Sequence, residues 1–475
     1  MNCIRSTFAV NIASSHAVIG ERDRRLGGEF RMLTRRQFMQ SSCALAGSAV
    51  LSKSALSNVP AGESTYRALV CIVLGGGADS FNMLVPASSS SYSHYLKRRG
   101  SLALAQDQLL PLKPGDGGGR SYALHHGLRE LGALCDRGEA TLVANVGPQG
   151  SPGSAVGKGL LQTLSHSELI SRWHFGTIDH RLQSGWAGRV ADLFVGSRFQ
   201  GGVPTNISLS GRNVLQLGAR SLAANLQTNP YRQAPGGYAG IDFSYLNEQL
   251  AARAINCRRS GPAHHGTNLL AQSEEQSGRL IRECIAGTPE MTTRFDRDLF
   301  SADLKQVAQL IAVRDRLGSR RQIFFVHFDG WDHHHNLLEC QESLLPILSR
   351  GLAAFREALI EQDVFDDVTT FTLSEFGRSL ESNGNGSDHG WGGHQIVMGG
   401  GVLGSRLYGE YPDLAHGNPL DMGGGCYMPT TSMDEYLAEL VLWLGVPMAD
   451  LSYVLPDFAG IGRAEILTPP LGMLA

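Results

Sequence analysis

The sequence predicts an α/β fold in which a mainly parallel sheet is covered by helices on both faces. Two observations carry this prediction. Short, uninterrupted apolar runs, which are typical of strands buried on both faces of a parallel sheet, occur at residues 66–74, 140–146, 322–328 and 368–373. Segments with helical periodicity lie between these runs, and such alternation is typical of a parallel sheet with both faces covered.

The first strand–helix–strand unit begins with the run at 66–74, YRALVCIVL, which ends in three glycines at 75–77. We expect this run to be the first core strand. A helix is predicted at 126–137, where leucines recur every three residues, and a strand follows at 140–146.

The second unit repeats this order. The strand at 322–328 is followed by an amphipathic helix at 342–362, which carries leucines and a phenylalanine along one stripe, and then by the strand at 368–373. Residues 204–318, between the two units, are less regular and rich in Gln, Asn, Arg and Ser. We interpret them as a cap or an elaborated edge.

The chain carries a segment that resembles a twin-arginine export signal. Residues 34–40, TRRQFMQ, precede a small-residue, apolar stretch at 41–56 that contains one charged residue, Lys53. An arginine pair, a phenylalanine two positions later and a modest apolar run occur in the order of such a signal. The alternative is a basic turn before a buried helix. We expect the twin-arginine translocase to export the chain to the periplasm or outside the cell.

Met32 stands just before this segment, so we expect residues 1–31 to be an extension from an over-called start. The signal peptide then spans 32–60 and the exported domain spans 61–475, with the cap or insertion at about 204–318. Because no stretch reaches the roughly 20 apolar residues that a spanning helix needs, we expect no stable membrane span.

The composition is that of an ordinary globular protein, with 42% hydrophobic residues, 18% charged residues and a formal net charge of -3 over 475 residues. Proteins that bind the nucleic-acid backbone usually carry a clear basic excess. We therefore expect no nucleic-acid partner, and a small-molecule or carbohydrate ester as the substrate.

Two histidine-rich segments are the strongest indication of chemistry, FDGWDHHHN at 328–336 and GSDHGWGGH at 386–394. Neutral imidazoles and carboxylates together bind divalent ions such as zinc or manganese. The first segment and Glu375 each follow a predicted strand, so we expect their side chains at the carboxyl edge of the sheet, where ligands of α/β proteins collect. The sequence therefore predicts a metallohydrolase.

Seven blocks of the chain resemble, in order, an exported bacterial family called domain of unknown function 1501. The blocks are LVCIVLGGGADSFNMLVP (69–86), SHSELISRWHFG (165–176), SGWAGR (184–189), FDGWDHHHN (328–336), TLSEFGRSL (372–380), DHGWGGH (388–394) and WLGVP (443–447). That family is placed in the alkaline-phosphatase-like superfamily of phosphatases, sulfatases, phosphodiesterases and cofactor-independent phosphoglycerate mutases. The resemblance implies an alkaline-phosphatase-like three-layer sandwich with a mainly parallel central sheet. It also implies two divalent ions, zinc first, with manganese, magnesium or calcium as alternatives.

The resemblance further implies a set of ligands for each ion. The first set is Asp79, Ser165, Asp388 and His389. The second set is Asp332, His334 and His394. Glu375 ends a strand where the superfamily often has its metal-binding Asp-His pair, so it is the alternative ligand to Asp388.

Three residues are candidates for direct roles in the reaction. Ser165 opens a predicted helix, where a serine acts either as an N-cap or, near a bound ion and the positive end of the helix dipole, as an alkoxide nucleophile. We expect His166 either to bind a substrate oxyanion or leaving group or to make a structural hydrogen bond. Arg378 either holds an anionic substrate or forms an ion pair.

The function favoured by these residues is an exported, metal-dependent hydrolase of phosphate or sulfate esters, with the Ser165 alkoxide as nucleophile between two divalent ions. Sulfatases carry Pro two positions and Arg four positions after the nucleophile, whereas Ser167 and Leu169 stand there in this chain. This difference favours phosphoryl transfer, or an ester of a type not yet assigned. The alternative is a secreted, metal-stabilised binding or assembly protein without catalysis.

Overall fold

The computed structural model describes residues 65–113, 119–149, 165–177, 183–195, 197, 202–226, 264–404, 406–458 and 469–475, without the side chains of 264–274. The chain divides after Asn58 into two units, and all described residues belong to the second, Val59–Ala475. The predicted extension and signal peptide, residues 1–60, lie outside the described residues.

The described strands and helices alternate through most of the chain. The strands are β1 (Arg67–Gly75), β2 (Leu84–Pro86), β3 (Leu109–Leu112), β4 (Tyr122–His125), β5 (Ala140–Gly147), β6 (Asn206–Ser208), β7 (Ala224–Asn225), β8 (Arg321–Asp329), β9 (Val368–Leu373), β10 (Arg378–Ser382), β11 (Ser387–His389), β12 (Gly393–Gly399), β13 (Tyr408–Gly409) and β14 (Thr431–Ser432). The α-helices are α1 (Ser89–Arg99), α2 (Arg129–Asp136), α3 (His166–Phe175), α4 (Trp186–Phe194), α5 (His264–Ala286), α6 (Leu299–Ala312), α7 (Leu337–Glu361), α8 (Met433–Leu444) and α9 (Leu451–Val454).

A nine-stranded sheet forms the centre of the described part of the chain. Its strand order is β13-β5-β12-β9-β1-β8-β6-β7, and β14 also pairs with β5. Only β12 pairs with its neighbours in antiparallel fashion; the other pairings in this sheet are parallel. Two smaller antiparallel sheets, β2-β4-β3 and β10-β11, lie beside it. The mainly parallel sheet predicted from the apolar runs is confirmed.

Strand β1 shows why both faces of the sheet are covered. Successive side chains of a strand point to opposite faces. Val70 and Ile72 pack into one hydrophobic cluster with residues of α2, α6 and α7, whereas Cys71 and Val73 pack into another with residues of α3, α4 and α8. Burying an aliphatic side chain contributes about 1.5–3 kcal/mol, so a strand that is apolar at every position is most stable at the centre of such a sandwich.

The predicted elements match the observed ones closely. The helix predicted at 126–137 is a 3-10 turn at His126–Leu128 followed by α2. The four predicted strands correspond to β1, β5, β8 and β9. The helix predicted at 342–362 begins earlier, at Leu337, because Leu337 and Gln341 extend its buried face. In the region 204–318, β6 and β7 lengthen the edge of the sheet and α6 packs onto its face.

The topology brings three chain segments to one edge of the sheet. Strands β9, β1 and β8 are parallel neighbours, so the residues that follow them meet at the same edge. Gly75 at the end of β1 lies beside Asp329 at the end of β8. The β10-β11 hairpin adds Arg378 and His389, which face each other across it. Of the described helices, none combines the length and the apolar character that crossing a membrane requires.

Candidate metal centre

A glycine loop at the end of β1 fixes the first carboxylate of the site. Gly76 and Gly77 have φ angles of +120° and +79°, and a Cβ on Gly77 would lie 2.0 Å from the Phe376 ring, so only glycine fits there. Their backbone N–H groups donate to the Glu375 carboxylate at 2.9 and 3.0 Å from Gly76 and at 2.9 Å from Gly77. The loop therefore holds Glu375 in place just after β9.

Glu375 keeps its negative charge although it is buried. Burial alone would raise the pKa of its carboxyl group, but the nearby His166 imidazole and the hydrogen bond from the backbone N–H of Gly76 outweigh burial and lower the pKa. Nδ1 of His166 lies 3.7 Å from Oε1 of Glu375. The Glu375 carboxylate therefore lies beside the Nδ1 side of the His166 ring.

Four side chains converge in front of this carboxylate, and we call them the His-Asp cluster: His166, Asp332, His334 and His389. The ligand atoms of His166, Asp332 and His389 all lie within 4.8 Å of one another. Oδ2 of Asp332 is 3.8 Å from Nε2 of His166, and Oδ1 is 3.9 Å from Nε2 of His389. Nε2 of His334 is 3.1 Å from Oδ1 of Asp332 and 3.0 Å from Nε2 of His389. The residues of the cluster come from α3, from the loop after β8 and from strand β11.

Two of these imidazoles have a carboxylate on the side that faces away from the cluster. Glu375 faces Nδ1 of His166, and Oδ1 of Asp388 lies 3.6 Å from Nδ1 of His334. Asp388 also accepts a hydrogen bond from Asn383 at 2.8 Å. A carboxylate beside Nδ1 favours the tautomer protonated on that nitrogen and leaves the Nε2 lone pair available to a metal. Asp388 thus lies beside the nitrogen of His334 that points away from the cluster. The predicted role of Asp388 as a direct ligand stays a prediction.

The donor set of the His-Asp cluster fits a divalent ion. Three imidazoles and one carboxylate are ligands that zinc and similar ions accept. Zinc–nitrogen bonds of about 2.0–2.1 Å in tetrahedral geometry place two ligand nitrogens roughly 3.3 Å apart, and the Nε2 atoms of His334 and His389 are 3.0 Å apart. The two sequence-predicted ligand sets therefore contribute members to one common site.

Arg378 joins the loops around the cluster. Its guanidinium is buried and donates to the carbonyl oxygens of Gly77 at 2.9 Å, of Gly76 at 3.1 Å and of Ser387. It also forms an ion pair with Asp332. These protein groups occupy the guanidinium, which makes Arg378 a positioning residue in this arrangement. Its predicted contact with an anionic substrate stays a prediction.

A cleft of about 400 Å³ opens beside the cluster, and Ser165, His166, Asp332 and Glu375 line it. Ser165 is the N-cap of α3, and its Oγ accepts a hydrogen bond from the backbone N–H of Glu168 at 3.3 Å, so the predicted helix start is confirmed. The same residue lines the cleft next to a candidate metal centre. Its role as nucleophile stays a prediction.

Asp79 lies outside the His-Asp cluster. Its side chain is fully buried and forms an ion pair with Arg99 at the end of α1. The backbone N–H of Phe81 donates to its Oδ1 at 3.3 Å, and the side chain of Gln341 donates to its carbonyl oxygen at 2.9 Å. Asp79 would have to leave Arg99 to bind an ion, so the structure favours a structural role for this carboxylate.

His394 also has its own partners. Its Nδ1 accepts a hydrogen bond from the backbone N–H of Asn145 at 2.9 Å, and its ring stacks on Tyr411 with centroids 4.7 Å apart. Burial lowers the pKa of His394 to about 3, so the ring is neutral and its proton resides on Nε2. Neither nitrogen then offers a lone pair to an ion. The predicted ligand role of His394 would require a different tautomer and a different backbone partner.

Buried neutral histidines predict how stability depends on pH. Burial lowers the pKa of His394 and His174 to about 3, and burial together with the nearby His126 lowers the pKa of His125 to about 4, all from 6.5. The unfolded chain therefore takes up protons before the folded protein does, so stability is complete above pH 6.5 and falls as the pH decreases toward these values.

For each such histidine, the free energy of unfolding falls by up to about 1.4 kcal/mol for each unit by which the pH decreases. Urea unfolding at about pH 7, 6 and 5 should show a steep loss of unfolding free energy, and His394→Gln should reduce the slope by roughly one histidine's share. A free energy that stays constant over this range would contradict the neutral, buried state of these rings.

Two contacts of the site do not follow from the sequence. We expect His166 either at the substrate or in a structural hydrogen bond, and the structure places its Nε2 3.8 Å from Oδ2 of Asp332; no spacing connects residue 166 with 332 and 389. His327 and Asp329 also line the cleft, with Nδ1 of His327 3.1 Å from Oδ2 of Asp329. Because residues two apart on a strand share a face, their positions at the end of β8 could have identified this pair.

A second group of potential ligands, His125, His126 and Glu342, lies between β4 and α7, again with ligand atoms within 4.8 Å of one another. Nδ1 of His125 accepts the backbone N–H of Gly127 at 3.0 Å, so this neutral ring carries its proton on Nε2, 3.8 Å from Glu342. His126 contacts the same carboxylate at 2.9 Å. These contacts favour a hydrogen-bonded connection between two elements over a metal site.

Comparison with known proteins gives one family match and several structural resemblances. Residues 66–422 match the model of a family described as "Protein of unknown function (DUF1501)". The comparison with curated proteins gave no match.

Three solved structures that the chain resembles are proteins of bacterial origin. The C-terminal periplasmic domain of EcEptC from Escherichia coli, in complex with Zn, shares 8% identity with a TM-score of 0.34, over 81% of this chain and 83% of that chain. The soluble domain of lipooligosaccharide phosphoethanolamine transferase A from Neisseria meningitidis shares 11% identity with a TM-score of 0.33, over 82% and 90%. A sulfatase from Pseudoalteromonas sp. shares 8% identity with a TM-score of 0.34, over 86% and 72%. All three TM-scores are below 0.5, so none of these resemblances assigns an activity.

Proposed function

We propose that this chain, which belongs to the DUF1501 family, is an exported, metal-dependent hydrolase of phosphate or sulfate esters. One observation carries the proposal. His166, Asp332, His334 and His389 converge beside a cleft that Ser165 also lines. A serine and a set of potential metal ligands thus lie near one cleft at the carboxyl edge of a parallel sheet, where α/β proteins bind their substrates.

The His-Asp cluster would hold a divalent ion, with zinc as the first choice and manganese, magnesium or calcium as alternatives. An ion bound there would supply positive charge to an ester oxygen and to the Ser165 hydroxyl. Glu375 and Asp388 would keep His166 and His334 in the required tautomers. The resemblance predicts a second ion. To bind it, Asp79 would have to break its ion pair with Arg99, or His394 would have to lose the hydrogen bond that it accepts from the backbone N–H of Asn145.

Ser165 would perform the covalent step. Its Oγ forms a bond to phosphorus or sulfur, the bond from that atom to the ester oxygen breaks, and the proton of the hydroxyl ends on the released alcohol. Water then cleaves the seryl ester, which releases phosphate or sulfate and restores the hydroxyl. The N-terminal end of α3 favours the negative charge that develops on Oγ. Arg378 keeps Asp332 and the glycine loop in place throughout.

Phosphate is the preferred substrate group, because Ser167 and Leu169 stand where sulfatases carry Pro and Arg after the nucleophile. The proposal includes export to the periplasm or beyond, based on the resemblance of residues 34–56 to a twin-arginine signal. The competing function is a secreted, metal-stabilised binding or assembly protein that retains the cluster without catalysis.

Replacing Ser165 with alanine tests the covalent step. In a panel of aryl phosphate monoesters, phosphodiesters and sulfates, we expect Ser165→Ala to lower kcat/KM by at least about a thousandfold, because removal of a nucleophile has effects of this size or larger. Metal content should stay unchanged. The melting temperature should fall little, since loss of an N-cap costs about 1 kcal/mol.

Ser171→Ala is the matched control, because the Ser171 hydroxyl donates to the carbonyl oxygen of Ser167 within the same helix. It should leave the activity unchanged. Full activity in Ser165→Ala would indicate a water nucleophile at the same cluster. A metal-loaded wild-type protein that hydrolyses nothing in the panel would favour the binding or assembly function.

A further inference from the structure

The cleft contains a second polar pair that the proposed metal centre leaves unused. Asp329 ends β8, and its Oδ2 lies 3.1 Å from Nδ1 of His327, two residues earlier on the same face of the strand. Both residues line the cleft, but neither belongs to the His-Asp cluster. The pair differs in exposure, because the His327 side chain is 4% exposed and the Asp329 side chain 61% exposed.

Space for this pair depends on a glycine in the neighbouring strand. A Cβ on Gly75 would lie 2.4 Å from Cε1 and 2.6 Å from Nε2 of His327, and 2.9 Å from Oδ1 of Asp329. Any other residue at position 75 would therefore displace the imidazole, the carboxylate or both. The end of β1 is shaped so that both side chains lie directly against its backbone.

Among the carboxylates of the cleft, Asp329 has an oxygen that remains available to a ligand. Of the three carboxylates that line the cleft, Glu375 accepts the N–H groups of Gly76 and Gly77, and Asp332 pairs with Arg378. Oδ1 of Asp329 has no partner among the residues described. Nor does the described lining of the cleft include an arginine or a lysine.

An anionic ester that approaches the cluster therefore also approaches an exposed carboxylate. Like charges repel each other. The same carboxylate attracts a substrate that carries a positive group at a suitable distance from its ester. Charge complementarity of this kind sets specificity more than raw affinity.

We infer that Asp329, oriented by His327, is the binding site for a protonated amine in the alcohol portion of the substrate. The substrate class is then a phosphate or sulfate ester of an amino alcohol or an amino sugar. This inference rests on the proposed hydrolase function. The ammonium group would donate to Oδ1 of Asp329 while the ester group lies against the His-Asp cluster.

A pair of matched substrates tests this assignment. Phosphoethanolamine and 2-hydroxyethyl phosphate have nearly the same size. The first carries an ammonium group where the second carries a neutral hydroxyl group. With the metal-loaded full chain, we expect kcat/KM to be at least about tenfold higher for phosphoethanolamine, which corresponds to one favourable charge contact. In Asp329→Asn the ratio of the two kcat/KM values should fall to about one, while metal content stays at the wild-type level.

Asp315→Asn is the control, because it also removes an exposed carboxylate, one that pairs with Arg320 at the other end of β8. It should keep the wild-type ratio. Equal rates for the two esters in the wild-type protein, or an unchanged ratio in Asp329→Asn, would overturn the inference and leave the proposed hydrolase intact. Loss of bound metal in Asp329→Asn would make Asp329 a ligand and overturn it as well. If the wild-type protein hydrolyses neither ester nor any of the aryl esters, both the proposed function and this inference fail.

Discussion

Replacing Asp79 with alanine is expected to lower the free energy of unfolding by about 3–5 kcal/mol, because it leaves a fully buried guanidinium without its counter-charge. Asp79 and Arg99 form an ion pair with both side chains 0% exposed. Arg99 also donates to Asn82 and to the carbonyl oxygens of Ser379 and Leu380, so the guanidinium cannot move to water without breaking these contacts. Urea unfolding of the metal-depleted protein measures the effect.

A matched control is Asp296→Ala, which removes the carboxylate of an ion pair with Arg350 in which both side chains are about half exposed. Exposed pairs contribute about 0–1 kcal/mol, so this variant should differ little from the wild type. The same experiment decides the role of Asp79. If Asp79 is a metal ligand instead, the metal-depleted variant should be nearly as stable as the wild type, and only the metal-loaded form should lose stability and bound ion.

Replacing His389 with alanine is expected to produce the largest loss of metal affinity, more than the 10–100-fold that loss of an outer-shell partner costs. Nε2 of His389 contacts His334 at 3.0 Å and lies 3.9 Å from Asp332, so it is a central member of the His-Asp cluster. Because the ion is proposed to act in the reaction, hydrolysis should fall with metal occupancy. Competition with a chelator of known affinity gives the dissociation constant of each variant.

Two further variants test whether metal affinity depends on contact with the His-Asp cluster. Asp388→Asn removes the carboxylate behind His334 and should weaken metal binding by about 10–100-fold. His335→Ala removes an exposed imidazole in the same loop, outside the cluster, and should leave affinity unchanged. Equal affinities in His389→Ala and His335→Ala would show that the cluster does not bind the ion.

The fold was predictable because its strongest determinants are local. Strand β1 is apolar at nearly every position and ends in glycines, and this pattern alone indicates a strand buried on both faces. The antiparallel insertion of β12 between β5 and β9 was not predicted, because it depends on pairing with β5, a strand more than 200 residues earlier in the chain. Helix α7 begins before its predicted start because tertiary packing buries Leu337.

The site was predictable in part. Asp332 and His334, predicted as ligands of one ion, lie together, and His389, predicted as a ligand of the other ion, lies beside them. The loops that follow neighbouring parallel strands and the β10-β11 hairpin share one edge, which explains this grouping. The buried partner of Asp79 was not predictable, because Arg99 lies twenty residues later and only the packing of α1 directs its guanidinium toward the carboxylate. The tautomer of His394 depends likewise on the backbone N–H of Asn145, a contact that no sequence pattern predicts.

The most direct test of the metal centre is zinc binding to the metal-depleted wild-type protein. We expect at least one zinc ion per chain, and an increase in stability of about 2.7 kcal/mol when free zinc is 100 times its dissociation constant. His389→Ala should lose this response and His335→Ala should keep it. A wild-type protein that binds no zinc, manganese, magnesium or calcium, and whose melting temperature none of these ions changes, would contradict the metal centre and the hydrolase proposed from it.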